Sequence, residues 1–168
     1  MKSVLISIQP KWCELIASGK KTVEVRKTRP KIEVPFKCYI YCTKGETIYL
    51  PRDIFGNEAL NGKVIGEFVC DSIRCEKEVA DGLVDIVLER TSCVSARELV
   101  EYANGNVLYS WHISNLVIYD KPKSLREFKR SCPDNVHSCA MCRHGAYTGM
   151  KCTPLTRPPQ SWCYVEGE

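Results

Sequence analysis

Apolar residues in this chain fall mostly in short runs with a period of two, separated by glycine, proline and asparagine and interrupted in a few places by helical spacing. Val4–Ile8 (Val-Leu-Ile-Ser-Ile) predicts a first strand. A helix follows: Pro10 suits its first position, Trp12, Leu15 and Ile16 recur at i, i+3 and i+4, and Gly19 suits a left-handed cap. Thr22–Lys27 predicts the next strand, stopped by Arg29-Pro30. In Phe36–Cys42 the residues Phe36, Cys38, Ile40 and Cys42 share one side, as in a half-buried strand with two core thiols. Residues 43–62 carry Gly45, Pro51, Gly56, Asn57, Asn61 and Gly62 and predict a long loop. Val64–Ile73 has strand composition, with Gly66 suited to a bulge. Glu76–Leu88 fits strand and helix alike. Ser95-Ala96-Arg97-Glu98 is a capping box ahead of Leu99, Val100 and Ala103, and Asn104-Gly105 ends that helix. Val107–Tyr119 predicts one or two strands. Ser124–Glu127 repeats the capping box before a helix that Pro133 ends, and Ser161–Val165 predicts a short strand returning to the sheet. Many strands with few helices and no internal repeat predict an α+β domain dominated by a β-barrel.

The most informative stretch is Gly19-Lys20-Lys21-Thr22-Val23-Glu24-Val25-Arg26. Strand alternation puts Lys21, Val23 and Val25 on one face and Thr22, Glu24 and Arg26 on the other, so that valines face a core while polar groups gather on a surface. Lysine and arginine beside a carboxylate can hold a phosphate or a base edge, and the carboxylate can accept from an exocyclic amine. The plainer reading is a surface strand laced by cross-strand ion pairs. Trp111 and His112 are further candidates, because an aromatic ring can stack on a base and a histidine can bond its edge. Adjacent strand residues face opposite sides, so only one of these two can reach a given pocket, and a tryptophan is more often core.

Ser7-Ile8-Gln9-Pro10-Lys11-Trp12 followed by Gly-x-Lys-Thr-x-Glu-x-Arg resembles the ASCH (activating signal cointegrator homology) family. The likeness continues through Trp111-His112-Ile113-Ser114-Asn115-Leu116 and Arg157–Val165, and is nearest to the small ASCH proteins of bacterial and prophage genomes. The resemblance implies a PUA-like β-barrel, expected here over residues 1–125 with flanking short helices, and the residue pattern adds a cysteine-rich appendage over 126–168 that returns the final strand. It also implies a cleft for RNA or a modified nucleoside, with Lys20, Lys21, Thr22, Glu24, Arg26, Trp111 and His112 as the ligand-binding candidates. Some family members are amidohydrolases that deacetylate N4-acetylcytidine with a lysine, a threonine three residues later and a distant glutamate. Lys21 matches that lysine, but Glu24 occupies the threonine position, and a carboxylate does not replace a hydroxyl in forming an acyl intermediate. As an enzyme this chain would rely on Lys21 and Glu24 to activate water. Glu98 has a sufficient structural reason in its capping box and is not carried over.

Charge and cysteine placement refine this picture. Net charge is +4, yet residues 20–37 carry seven Lys or Arg against two Glu, and residues 67–101 carry nine acids against four bases. Such asymmetry suits a basic face for a phosphate backbone, an acidic protein partner in an adaptor, or an ordinary solvated surface. With 168 residues the chain fits one domain, or one domain with a small appendage. No apolar run approaches a membrane span, and the first residues lack a secretory cleavage pattern, so the expectation is a cytoplasmic protein with reduced thiols. Of the 11 cysteines, Cys132, Cys139, Cys142, Cys152 and Cys163 crowd the end. Cys132-x6-Cys139-x2-Cys142-x9-Cys152 is spaced to hold a structural zinc ion, with His137, His144 and Cys163 as substitutes for the outer ligands; the alternative is a loop of free thiols.

Overall fold

The computed structural model describes residues 2–45, 60–130 and 154–166. Its strands are β1 (Lys2–Ile8), β2 (Val23–Arg26), β3 (Phe36–Cys42), β4 (Val64–Glu76), β5 (Leu108–Lys123) and β6 (Trp162–Glu166). Its helices are α1 (Pro10–Ala17), α2 (Ile86–Ser92) and α3 (Ala96–Ala103), with 3-10 turns at Glu78–Asp81 and Leu125–Glu127. The ambiguous stretch after Glu76 thus resolves into a 3-10 turn and α2. The second capping box forms, with Ser124 accepting from Arg126 N–H, but it caps only a three-residue turn. The stretch expected over Val107–Tyr119 falls, from Leu108 on, in one 16-residue strand. The loop expected over 43–62 lies largely outside the described residues.

The six strands form one sheet in the order β2-β5-β4-β3-β1-β6. β1 and β3 run parallel, and every other neighbouring pair is antiparallel. The expected barrel does not close, because β2 and β6 remain edges. The sheet nevertheless curls until its two ends meet through side chains. The rings of Trp111 on β5 and Trp162 on β6 lie 6.0 Å apart, although three strands separate theirs in the sheet. Trp162 Nε1 also donates to Thr28 Oγ1 at 3.0 Å, just beyond β2.

Alternation along each strand then sorts the core. Val4, Ile6, Phe36, Cys38, Ile40, Phe68, Cys70 and Trp111 fill the concave side under α1. Leu5, Tyr39, Tyr41 and Val165 face the convex side, covered by Leu125, Phe128 and Leu155. β1 and β3 are therefore buried on both faces, which explains the unbroken apolar run in β1 and corrects the half-buried reading of β3. Burial pushes the Cys13 and Cys38 thiols up, and that of Cys70 up to about 12, as befits inert core thiols. A third cluster packs Val25 and Leu108 against Val79, Leu88, Leu99 and Ala103, and so seats α2 and α3 beside β2.

Curling so long a sheet needs interruptions in the ladder, and β4 slips register against β5 at three places, the first at Gly66. A β-carbon on Gly66 would fall on the Val117 carbonyl oxygen and crowd Ile118. Gly66→Ala is expected to cost about 1–3 kcal/mol, because backbone rather than a side-chain end must give way. Urea unfolding of the two proteins measures it; equal midpoints would show that the strands pass there with room to spare.

Candidate functional site

Local chain chemistry carries Lys21 inward. After α1, Gly19 adopts φ 71°, and the amides of Lys20 and Lys21 both return to the Leu15 carbonyl. Regular strand begins only at Val23, so Lys21 escapes the alternation expected of it. Its side chain turns to the side of Glu24, where only 2% of Lys21 is exposed. Lys21 Nζ donates to the Ser92 carbonyl at 2.6 Å, lies 3.3 Å from Glu24 Oε2, and sits 5.1 Å from the centre of the Trp12 ring. Thr22 is held through its backbone instead, donating to the Thr91 carbonyl and accepting from the Ile113 amide.

Glu24 stands opposite Trp111 in the ladder and shares its concave face, while Val25 turns toward α3. The valines thus pack as expected, but the polar groups converge in the interior rather than on an open surface. Arg26 Nη2 lies 2.9 Å from Glu24 Oε1 and donates to the Ser7 carbonyl of β1 at 2.6 Å. Two cations therefore flank one buried carboxylate, leaving an excess of one positive charge where dielectric screening is weak. Among the described residues, Glu24 Oε2 and Arg26 Nε are buried without a hydrogen-bond partner. The Lys21 ammonium is within ion-pair distance of Oε2, and one of its three donors goes to the Ser92 carbonyl.

These groups line a cleft of about 240 Å³. Its walls include Trp12 from α1, Leu99 and Tyr102 from α3, and Ser7 and Gln9 at the end of β1. Glu98 also lines it, with Oε2 accepting from the Ser95 hydroxyl at 2.7 Å and the Ser95 amide at 3.1 Å. Those hydrogen bonds hold the Glu98 carboxyl below its ordinary range. Sequence reading placed Glu98 in its cap correctly but missed its second position at the cleft. Tyr102 was missed because nothing local ties α3 to β2; Ser7, Gln9 and Trp12 lay within the motif that carried the resemblance.

The remaining candidates are placed elsewhere. Lys20 is exposed and Thr22 half-buried, and neither lines the cleft. Trp111 is fully buried, edge-on to Phe36. His112 faces outward on the other side of β5, its Nδ1 2.7 Å from Asp71 Oδ1, and this hydrogen bond holds the Asp71 carboxyl below its ordinary range. Cys132, Cys139, Cys142 and Cys152 lie outside the described residues. Cys163 is half-buried in β6, its thiol raised by burial. Among the described residues no group of three metal-ligating side chains comes together, and no helix is long and apolar enough to cross a membrane.

The ASCH domain family matches residues 6–123, well over half of the chain and inclusive of every cleft residue named above. The chain belongs to the ASCH domain family. Among solved structures, ASCH from Zymomonas mobilis superposes with a TM-score of 0.61 at 20% identity, covering 98% of this chain and 87% of that one. A tyrosine-to-phenylalanine variant of the same protein gives a TM-score of 0.60 at 19% identity, covering 99% of this chain and 91% of its own. These likenesses establish the ASCH fold; in this chain β6 extends the sheet beyond the matched residues. No curated protein matches the chain significantly.

The charge arrangement of this ASCH domain fixes an order of mutational costs. Glu24→Gln leaves Lys21 and Arg26 buried without their common counter-charge and is expected to cost about 3–5 kcal/mol. Lys21→Met leaves a neutral Glu24–Arg26 pair and loses chiefly the bond to Ser92, about 1–2 kcal/mol. Chemical denaturation of both variants measures the order; a larger loss for Lys21→Met would mean that the carboxylate is not the centre of the cluster.

Proposed function

We propose that this ASCH domain binds RNA or a modified nucleoside, with one base held in the Lys21–Glu24–Arg26 cleft. The observation that carries this reading is a pair of buried atoms of opposite sense without a hydrogen bond, the acceptor Glu24 Oε2, which has only its ion pair with Lys21, and the donor Arg26 Nε. An amino-bearing heterocycle presents the complement, an exocyclic N–H beside a ring nitrogen or carbonyl oxygen. The buried trio carries one positive charge in excess, which favours an electronegative edge beside it, while Glu98 on the cleft wall offsets that charge for the cleft as a whole. Trp12 and Tyr102 supply aromatic surface for stacking, and a volume of about 240 Å³ suits a single base rather than a helix. Such a cleft also gives a reason for keeping a charged cluster in the interior, where its desolvation would otherwise favour apolar replacement.

A hydrolytic reading is supported by one further observation: Glu98 lines the same cleft, with its carboxyl held toward the ionised form. Glu24 or Glu98 would then position or deprotonate a water for attack on an acylated amine, in place of a threonine nucleophile. The cysteine-rich segment has a separate role in this proposal. The spacing of Cys132, Cys139, Cys142 and Cys152 suits a structural zinc ion that orders the segment between them.

Titration with a panel of nucleosides, their acylated forms and short RNAs tests the cleft. Tyr102 is 40% exposed, so Tyr102→Ala tests binding without threatening the core. It is expected to lose ~1–3 kcal/mol of affinity through stacking. Equal binding by both proteins would remove the base from this cleft, and release of acetate from an acylated nucleoside would favour the hydrolytic reading. For the metal, elemental analysis of purified protein is expected to give about one zinc per chain, lost on replacing Cys139 or Cys142 by Ser. Zinc-free protein whose C-terminal segment resists protease would return these residues to ordinary thiols.

A further inference from the structure

A second concavity of about 860 Å³ lies beside the first, lined among others by Lys27, Thr28, Arg29, Lys31, Glu33 and Tyr109. It is formed by the connection from β2 to β3, and its three cations are all exposed. Among the described residues none of the three has a carboxylate within ion-pair distance; Glu33 lines the groove but leaves it with a positive excess. What sets these three apart from other exposed cations is that they share one concavity.

The connection is also fixed in place. Trp162 Nε1 donates to Thr28 Oγ1 at 3.0 Å, and the Lys31 amide donates to the Tyr164 hydroxyl at 2.7 Å. Pro30 is buried between these two anchors. Two aromatic residues of β6 thus hold a basic segment by the Thr28 hydroxyl and the Lys31 amide, while its three cations keep no carboxylate partner among the described residues. That is preorganisation for an anion, since the ordering cost is met before binding.

Groove and cleft share a rim. Lys27 Nζ stands 4.9 Å from the centre of the Tyr102 ring, which belongs to the cleft, and Tyr109 of the groove pairs across the ladder with Arg26 of the cleft. From Glu24 to Lys27 is three residues, on the order of 10 Å of nearly extended chain. Resting on the proposed base-binding role of the cleft, we infer that the groove is a phosphate track, so that the ligand is a single-stranded polynucleotide rather than a free nucleoside. One base enters the cleft while the phosphates of its neighbours follow Lys27, Arg29 and Lys31. A duplex is excluded by geometry, because a paired base cannot reach Glu24 at the cleft floor without leaving its stack.

The test compares binding of mixed-sequence RNA and DNA strands of about six nucleotides, a length within single-strand site sizes, with binding of the free ribonucleosides, at two salt concentrations. Lys27→Ala/Arg29→Ala/Lys31→Ala is expected to lose about tenfold or more in affinity for both kinds of strand, and to flatten the slope of log affinity against log salt by about 2. Nucleoside binding should not change. The charge-keeping variant Lys27→Arg/Arg29→Lys/Lys31→Arg should retain the salt slope. Unchanged strand affinity in the triple alanine variant would overturn the track, as would a loss on RNA alone or an equal loss in the charge-keeping variant. The two readings fail separately: if Tyr102→Ala has no effect while the triple variant weakens strand binding, the cleft assignment falls and the phosphate track stands.

Discussion

Arg26 joins two strands that share no backbone hydrogen bond. From the edge strand β2 its guanidinium reaches the Ser7 carbonyl of β1, while the same terminal nitrogen meets Glu24. A barrel would close by pairing β2 with β6; here side chains span that gap in place of a ladder, Arg26 reaching Ser7 of β1 and Trp162 of β6 reaching Thr28 just beyond β2. The cleft exists because of that substitution. Closure by backbone would satisfy every amide along the seam but would leave no room for a ligand; closure by side chains leaves a gap whose walls carry charge.

Helices complete the enclosure for reasons that have nothing to do with chemistry. Leu88 and Leu99 are buried against Val25, each such burial contributing about 1.5–3 kcal/mol, and this packing fixes α2 and α3 beside β2. As a consequence the Ser92 carbonyl at the end of α2 receives the Lys21 ammonium, and Tyr102 of α3 overhangs the opening. Apolar packing thus sets the geometry, and the polar cluster exploits it. The C-terminal strand acts in the same way on the other side: β6 pairs with β1, and its Trp162 and Tyr164 fix the connection that carries Lys27, Arg29 and Lys31.

Much of this was legible in the chain. Period-two runs located the strands, Pro10 and Gly19 bracketed α1, and the Ser95–Glu98 capping box opens α3 with both reciprocal bonds in place. Gly66 marked the first of the register slips that let the sheet bend. The motif around Lys21, Glu24 and Arg26 drew attention to residues that the fold brings within 3.3 Å of one another in sequence of contact. Signals of this kind are local, arising from backbone sterics, caps and alternation, and they act over a few residues whatever the rest of the chain does.

Tertiary structure decided what those signals left open. Alternation assigned Lys21 to the side of the valines, but the turn after α1 delays the strand to Val23 and sends the lysine inward. Composition made the polar cluster a surface; burial of Lys21 and Glu24 depends on α1, α2 and α3 covering it. A barrel and an open curled sheet have the same strand pattern, since closure depends on whether two edges far apart in the chain pair by backbone or by side chain. Glu98 and Tyr102 reach the cleft only because Leu99 and Ala103 dock their helix on Val25. The sequence by itself determined the elements and the candidate charges; the long-range packing that orients them, which no local pattern encodes, determined that they form a cleft.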